Sequence, residues 1–350
     1  MKKIRVLIVD DSPLARALLR DFLEDEEDME IVGEAADGRE AVEQAAQLGP
    51  DLVTMDLEMP VMHGLEAIEA IMHSRAVPIL VVSSVADAQN ALAAVGRGAL
   101  EAIAKPSYDP EEAAQFVAKV RMLAGVTVIT RLRPRTPRPV PRADVPPVVT
   151  PPKPVWANGY DRVVAIASST GGPQALAQIL PALPADFPCP VVVAQHIADG
   201  FAAGMAGWLA SICKLPVRLA ADGEALAPGI VYISPSEKHL SVVPSRRFAL
   251  LERAPGDIFH PCCDVLLSSV AEVFGRKAVG VILTGMSRDG AQGLSHIRDR
   301  GGVTLAQDEA TSVIFGMNRV AIEAGAAQRV LPVDGIAEAL TRLAGAGQAA

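Results

Sequence analysis

The sequence predicts an α/β protein built on two sheets. One is a doubly wound, five-stranded parallel sheet towards the N-terminus; the other is largely parallel with a small antiparallel hairpin. Three observations lead there. Apolar runs of strand length alternate with helix-period patterns in both parts of the chain, as βα repeats do. Hydrophobic residues make up 50% of the chain but aromatic ones only 4%, which leaves Ala, Val, Leu and Ile to fill the core, as in parallel sheets covered on both faces. Between the two parts lies a proline-dense segment. The expected division is a domain over 1–124, a linker over 125–160 and a domain over 161–348, within the range a chain of 350 residues allows.

Composition excludes several classes. A net charge of −9 and a pI near 5.3 argue against a nucleic-acid partner. No apolar run is long enough to span a bilayer, and the first residues run straight into a strand pattern rather than a signal peptide, so no membrane insertion is expected. Four cysteines, none in a CxxC pair, point to a reducing, cytoplasmic setting.

In the first part, the strand-like runs are Ile4–Val9, Ile31–Glu34, Leu52–Met55, Ile79–Val82 and Ala99–Ala104, with helical patterns over Leu14–Leu23, Ala41–Leu48 and Leu65–Met72. Doubly wound sheets bind ligands beyond the carboxyl ends of their strands. Those ends carry Asp10 and Asp11, Asp56, Ser83 and Lys105. Three converging carboxylates repel one another unless a divalent cation sits among them, and oxygen ligands suit Mg²⁺. A hydroxyl and a lysine opposite would hold the oxygens of a phosphoryl group on Asp56. The plainer alternative is a set of ordinary solvated strand-end acids.

The pieces Val9-Asp10-Asp11-Ser12, Met55-Asp56-Leu57-Glu58-Met59-Pro60 with Gly64, Ser83-Ser84 and Lys105-Pro106 resemble a two-component receiver domain over essentially its whole length. The resemblance implies Asp56 as phosphoacceptor, Mg²⁺ on Asp11, Asp56 and the Glu58 carbonyl with Asp10 in support, and phosphoryl contacts from Ser83 and Lys105. It also implies a histidine kinase as phosphodonor. Many receivers carry Phe or Tyr three residues before the lysine; here Ala102 stands there, so an aromatic switch is not the readout.

From Arg131 to Pro154 the chain holds nine prolines together with Arg131, Arg133, Arg135, Arg138, Arg142 and Lys153. That density excludes helix and favours extended polyproline II, a semi-rigid spacer. Its charges either dock on an acidic surface or simply solvate a tether.

The second part is organised around Val163–Gly172, reading Val-Val-Ala-Ile-Ala-Ser-Ser-Thr-Gly-Gly. A buried strand stops at two serines, two glycines supply a tight turn, and Pro173 suits the first position of a helix. A hydroxyl there faces free backbone N–H groups and a helix dipole that favour developing negative charge. This suits a nucleophile; a phosphate-binding or purely structural turn is the alternative. Two further apolar runs, Val191–Ala194 and Val279–Leu283, end before Gln195-His196 and Thr284-Gly285-Met286-Ser287-Arg288-Asp289-Gly290. If the three strands are parallel neighbours, Ser169, His196 and Asp289 open on one edge. Nucleophilic acyl transfer needs that set: serine attacks, histidine moves its proton, and a carboxylate orients the imidazole. Asp199, Asp222, Asp257, Asp264 and above all Asp308 are rival carboxylates. No HxH or HExxH spacing supports metal hydrolysis, and adjacent Cys262 and Cys263 read as small packing residues rather than ligands.

Ser169-Thr170-Gly171-Gly172, Gln195-His196, Ser234-Pro235, Asp264-Val265-Leu266, Leu283-Thr284-Gly285-Met286, Asp289-Gly290-Ala291 and Ala306-Gln307-Asp308 resemble the catalytic domain of the chemotaxis receptor methylesterases, from about Val163 onward. The resemblance implies a hydrolase-type sheet, Ser169 as nucleophile, His196 as base, Asp289 as its orienter, and an oxyanion site at the backbone near Thr170 and Met286. It implies no cofactor at the esterase site. Methylated chemoreceptors would be the substrates: methyl esters on their glutamates would be hydrolysed, and selected glutamines deamidated. Three places depart from the family's usual pattern: Ala167-Ser168 where Gly-Ala is usual, Ser287 for glycine, and His260-Pro261-Cys262-Cys263 for a stretch with Arg-Pro-Ser. The departures at Ala167, Ser168 and Ser287 keep open a second reading, a catalytically silent, phospho-responsive docking protein that binds receptors or a histidine kinase.

Overall fold

A computed structural model describes residues 2–128, 162–254 and 256–345; all but the first four residues of the expected linker lie outside them. The first sheet comprises β1 (Ile4–Val9), β2 (Met29–Ala35), β3 (Leu52–Met55), β4 (Ile79–Ser83) and β5 (Glu101–Ala104), all parallel in the order β2-β1-β3-β4-β5. The helices between and after them are α1 (Pro13–Glu24), α2 (Gly38–Leu48), α3 (Gly64–Ser74), α4 (Ala88–Arg97) and α5 (Pro110–Leu123). Their starts follow local chemistry. Ser12 caps α1 ahead of Pro13, and the Asp37 and Asp109 carboxylates accept two backbone N–H bonds each at the starts of α2 and α5.

The second sheet has seven parallel strands in the order β14-β13-β12-β6-β7-β9-β8. They are β6 (Val163–Ser168), β7 (Val191–Gln195), β8 (Val217–Leu219), β9 (Val231–Ile233), β12 (Ala278–Ile282), β13 (Val303–Gln307) and β14 (Arg329–Leu331). β10 (His239–Val243) and β11 (Arg247–Leu251) form the separate antiparallel hairpin. The helices are α6 (Gly172–Ile179), α7 (Phe201–Ile212), α8 (Cys263–Phe274), α9 (Ala291–Asp299), α10 (Met317–Glu323) and α11 (Val333–Gly345).

Position in the sheet decides what β6 can do. The chain runs from β6 outward through β7, then returns to lay β12 against the other side of β6. The strand order therefore reverses between β6 and β12, the kind of switch point that opens a crevice above a sheet. Every residue of β6 is buried, so the strand is held by packing on both faces.

The two sheets do not sit apart. α4 packs along α7, with Gly96 against the Trp208 ring and Gly204 against the Ala88 and Gln89 backbone. Ala88, Ala91, Leu92, Trp208 and Leu209 belong to one continuous apolar cluster that also holds core residues of both sheets. Replacing Ile166 of β6, fully buried, by alanine is expected to lower the unfolding free energy by about 2–5 kcal/mol, read as a shifted urea midpoint at unchanged slope.

Candidate functional site

Strands β7, β6 and β12 lie side by side, and the residues just past their carboxyl ends converge. The backbone ties this edge together: His196 N–H donates to the Ser168 carbonyl at 3.0 Å, and Ser169 N–H donates to the Thr284 carbonyl at 3.1 Å. Two glycine features make the fit possible. Gly171 turns the chain into α6 at φ 77°, a conformation side chains resist. At Gly285 a methyl group would fall 2.6 Å from the Ser169 Cβ and 2.4 Å from the Met317 sulfur, so only a bare backbone lets this loop pass the serine.

His196 Nε2 lies 2.7 Å from Asp289 Oδ2. Asp289 is buried at the amino end of α8, where its carboxylate accepts N–H bonds from Cys263 at 2.6 Å and Asp264 at 2.9 Å. Burial alone would raise its pKa. The hydrogen bond and charge of His196 and the two backbone donors outweigh burial and hold it at about 2. The group is an anion fixed beside the imidazole. Phe259 stacks on the other side of the imidazole, ring centroids 5.2 Å apart and planes within 5°. Ser169 is 7% exposed, and no hydrogen bond joins its hydroxyl to His196 among the described residues. Such contacts often close only once substrate is bound. The backbone N–H groups of Thr170 and Met286 have no hydrogen-bond partner among the described residues.

The rival carboxylates go elsewhere. Asp308 accepts from the Thr311 N–H and hydroxyl, Asp257 binds His239, Asp199 binds Arg253, Asp222 accepts from Leu250, and Asp264 caps α9 through the Gly293 N–H.

The departures from the usual motif also find partners. Ser168 donates to Gln195 Oε1 at 2.6 Å, and Gln195 Nε2 in turn donates to the carbonyls of Ser169 and His196 at 2.8 Å each. The Ser287 hydroxyl accepts the Asp289 N–H at 3.1 Å. Sequence reasoning marked Ser168 and Ser287 without finding these roles, because partners in neighbouring strands and turns carry no sequence signal. It missed Phe259, and it placed Cys263 correctly in the core without placing its sulfur 3.5 Å from His196 Nε2.

The edge of the first sheet gathers the other predicted set. One carboxylate oxygen each from Asp10, Asp11 and Asp56 lies within 4.8 Å of the others. Lys105 Nζ is 2.7 Å from Asp10 Oδ2 and 2.9 Å from Asp56 Oδ2. Burial raises the Asp56 pKa, as does the Asp10 charge, against the opposing pull of Lys105. Burial depresses Lys105, yet its two carboxylate partners win and its pKa rises. The Ser83 hydroxyl is buried with no hydrogen-bond partner among the described residues, and the Glu58 side chain faces solvent. An all-oxygen donor set suits a hard divalent cation.

The family model for the CheB methylesterase matches residues 164–340, and that for the response regulator receiver domain matches residues 6–118. A protein of Paramagnetospirillum magneticum named protein-glutamate methylesterase/protein-glutamine glutaminase 3 is 55% identical over 350 residues, covering 98% of this chain and 97% of its own length. The chain belongs to the CheB methylesterase family. A relative from Pyrococcus abyssi, named protein-glutamate methylesterase/protein-glutamine glutaminase, is 38% identical over 355 residues, covering 97% and 94% of the two chains. The Thermotoga maritima CheB methylesterase catalytic domain matches at a TM-score of 0.51 and 41% identity, covering 52% of this chain and 98% of that one. In this CheB-type chain no helix among the described residues is long and apolar enough to cross a membrane.

The Asp289 carboxylate makes a pH prediction. Its folded value of about 2 lies below the ordinary 3.8. The stability it contributes is therefore present at neutral pH and lost as pH falls from about 4 through about 2. Asp289→Asn is expected to flatten that part of the acid-unfolding profile, measured as urea midpoints at a series of pH values; an unchanged profile would mean the carboxylate is not held as described.

Proposed function

We propose that the protein is a phosphorylation-controlled protein-glutamate methylesterase, and protein-glutamine deamidase, acting on methylated chemoreceptors in the cytoplasm. The observation that carries this reading is the 2.7 Å pairing of His196 with a buried, ionised Asp289 on the same sheet edge as Ser169. With Nε2 engaged by Asp289, Nδ1 is the nitrogen left to take the serine proton. Ser169 Oγ attacks the ester carbonyl while His196 accepts its proton, and the oxyanion is met by the N–H groups of Thr170 and Met286. His196 returns the proton to the departing methoxide, which leaves as methanol. Water then hydrolyses the acyl-enzyme by the same route and frees the glutamate carboxylate.

The receiver domain, over 1–124, would hold Mg²⁺ on Asp11, Asp56 and the Glu58 carbonyl with Asp10 in support. Such an ion would supply charge neutralisation for a phosphoryl group passed to Asp56 from a histidine kinase. Ser83 and Lys105 then meet the new oxygens, a role supported by the buried Ser83 hydroxyl, which has no hydrogen-bond partner among the described residues. The tethering segment and the hydrolase domain over 161–348 complete the arrangement.

Regulation by obstruction is supported by contacts between the two parts. Lys119 of α5 bonds Glu101 at 2.6 Å and reaches the Thr170 hydroxyl, next to Ser169, at 3.2 Å. Gln174 of α6 donates to the Ala99 carbonyl at 2.6 Å. A tether of this length keeps the domains at an effective concentration on the order of a millimolar, so even a weak contact is well populated. The silent docking reading loses its motive, since the Ser168 and Ser287 departures support the edge rather than disrupt it.

Three measurements test this. Ser169→Ala is expected to lower methanol release from methylated receptor by roughly 10⁴–10⁶-fold, with His196→Ala comparable, and to abolish labelling by a fluorophosphonate. Asp56→Asn is expected to leave activity unresponsive to acetyl phosphate. Deleting residues 1–130 is expected to raise basal activity; a fragment no faster than the unphosphorylated chain would refute obstruction.

A further inference from the structure

The two cysteines at the start of α8 are not used by the hydrolytic cycle, yet one of them touches its base. Cys263 is fully buried, and its sulfur lies 3.5 Å from His196 Nε2. Donor atoms of His196, Cys263 and Asp289 all fall within 4.8 Å of one another. A nitrogen, a sulfur and a carboxylate oxygen thus converge, and their separations can be compared with what a metal requires. A tetrahedral zinc ion with Zn–N near 2.0 Å and Zn–S near 2.3 Å holds those two donors about 3.5 Å apart, which is the spacing present. The imidazole and carboxylate need about 3.3 Å on the same geometry. Their 2.7 Å hydrogen bond would have to open by a fraction of an ångström once the proton between them is gone. Oδ1 of Asp289 keeps its Asp264 N–H bond, so the carboxylate can present Oδ2 without leaving the helix end.

We propose that His196, Cys263 and Asp289 form an inhibitory site for a thiophilic divalent cation of the zinc type, with the fourth position open to water. The donor set selects it. The receiver edge offers oxygens alone and suits Mg²⁺, whereas thiolate with imidazole favours zinc or cadmium over magnesium. One cation enters and one proton leaves to solvent, from the Cys263 thiol, while the imidazole proton shifts from Nε2 to Nδ1 so that the ring binds as the neutral imidazole, with no redox change. The consequence rests on His196 being the base. The metal takes the place of the proton that Asp289 accepts and breaks the pairing that orients the ring. It also leaves Nδ1 protonated, so that this nitrogen can no longer take the Ser169 proton. Ester hydrolysis stops while the cation is bound and returns when a chelator removes it.

Cys262 differs in a way that sharpens the test. Its sulfur contacts Asp289 Oδ1 at 3.3 Å, on the far side of the carboxylate from the oxygen that pairs with His196. It is therefore a neighbour of the site and not one of its three ligands.

The experiment uses the full chain with Mg²⁺ saturating and Asp56→Asn as background, so that receiver binding is held constant. Cadmium is titrated while the thiolate-to-metal charge-transfer band is followed in the ultraviolet, and zinc stoichiometry is taken from equilibrium dialysis. One cation per chain with a single-thiolate band is expected. Cys263→Ser and Cys263→Ala are expected to remove the band and weaken zinc by more than the roughly 10–100-fold that loss of a supporting partner costs; Cys262→Ser is expected to keep both. In parallel, zinc is expected to inhibit methanol release and fluorophosphonate labelling, each variant scored against its own metal-free rate. Absence of the band in the parent chain, or its survival in both Cys263 variants, overturns the proposal. A chain that binds cadmium through Cys263 but shows no metal-free hydrolysis would instead overturn the esterase reading and leave the site standing.

Discussion

The structure above the second sheet depends on one buried charge. Asp289 gives up hydration to sit at the amino end of α8, and it is repaid by two backbone N–H groups, the helix dipole and His196. Take the anion away and three things lose their footing: the imidazole, the first turn of α8, and the loop that returns from β12. The arrangement is reciprocal. Asp264, from the first turn of α8, accepts the Gly293 N–H in α9, the helix that follows Asp289. Each acid thus anchors the helix the other belongs to or precedes. Their charges repel, and Asp264 is pushed upward by burial, with Asp289 adding to the shift. Of the two, the carboxylate beside His196 is held the lower.

The first sheet solves a related problem with a different counter-ion. Asp10 and Asp56 are buried together, and Lys105 bridges them from β5's carboxyl end. A lysine shared between two acids leaves a net negative pocket, which a divalent cation can enter but an anion cannot without one. The two edges are therefore tuned to opposite ends. One holds a carboxylate well below its ordinary pKa beside an imidazole, and the other keeps Asp56 less acidic than usual.

Much of this was legible in the sequence, for a definite reason. Strand-end position is encoded by where an apolar run stops, so Ser169, His196, Asp289, Asp56, Ser83 and Lys105 could all be placed on two edges before any fold was seen. The choice of Asp289 over Asp308 was not legible from strand ends alone, since both follow apolar runs; only the turn at Thr311 takes Asp308 out of contention. α4 and α7 were obscure for another reason. α4 buries Ala88, Ala91, Leu92, Ala94 and Val95, apolar on more than one side because it faces both its own sheet and α7. An amphipathic period is blurred wherever a helix has two partners. Side-chain relays such as Ser168 to Gln195 leave no periodic trace at all.

The contact between the parts shows what a receiver without an aromatic switch has to work with. β5 carries Glu101 at its start, Ala102 within it, and Lys105 just beyond its end. Lys105 N–H is fixed to the Ser83 carbonyl, so in the proposed mechanism a movement at this end would reach β5 through backbone. At the other end Glu101 holds Lys119, and Lys119 holds the Thr170 hydroxyl. Glu101 Oε2 is buried with no hydrogen-bond partner among the described residues, so the pair is only half satisfied there. In the proposed mechanism a small shift of this short strand would decide whether the lysine stays on Thr170 or returns wholly to the glutamate. In the proposed mechanism the readout is therefore an ion pair sliding at a domain boundary, one residue away from the nucleophile.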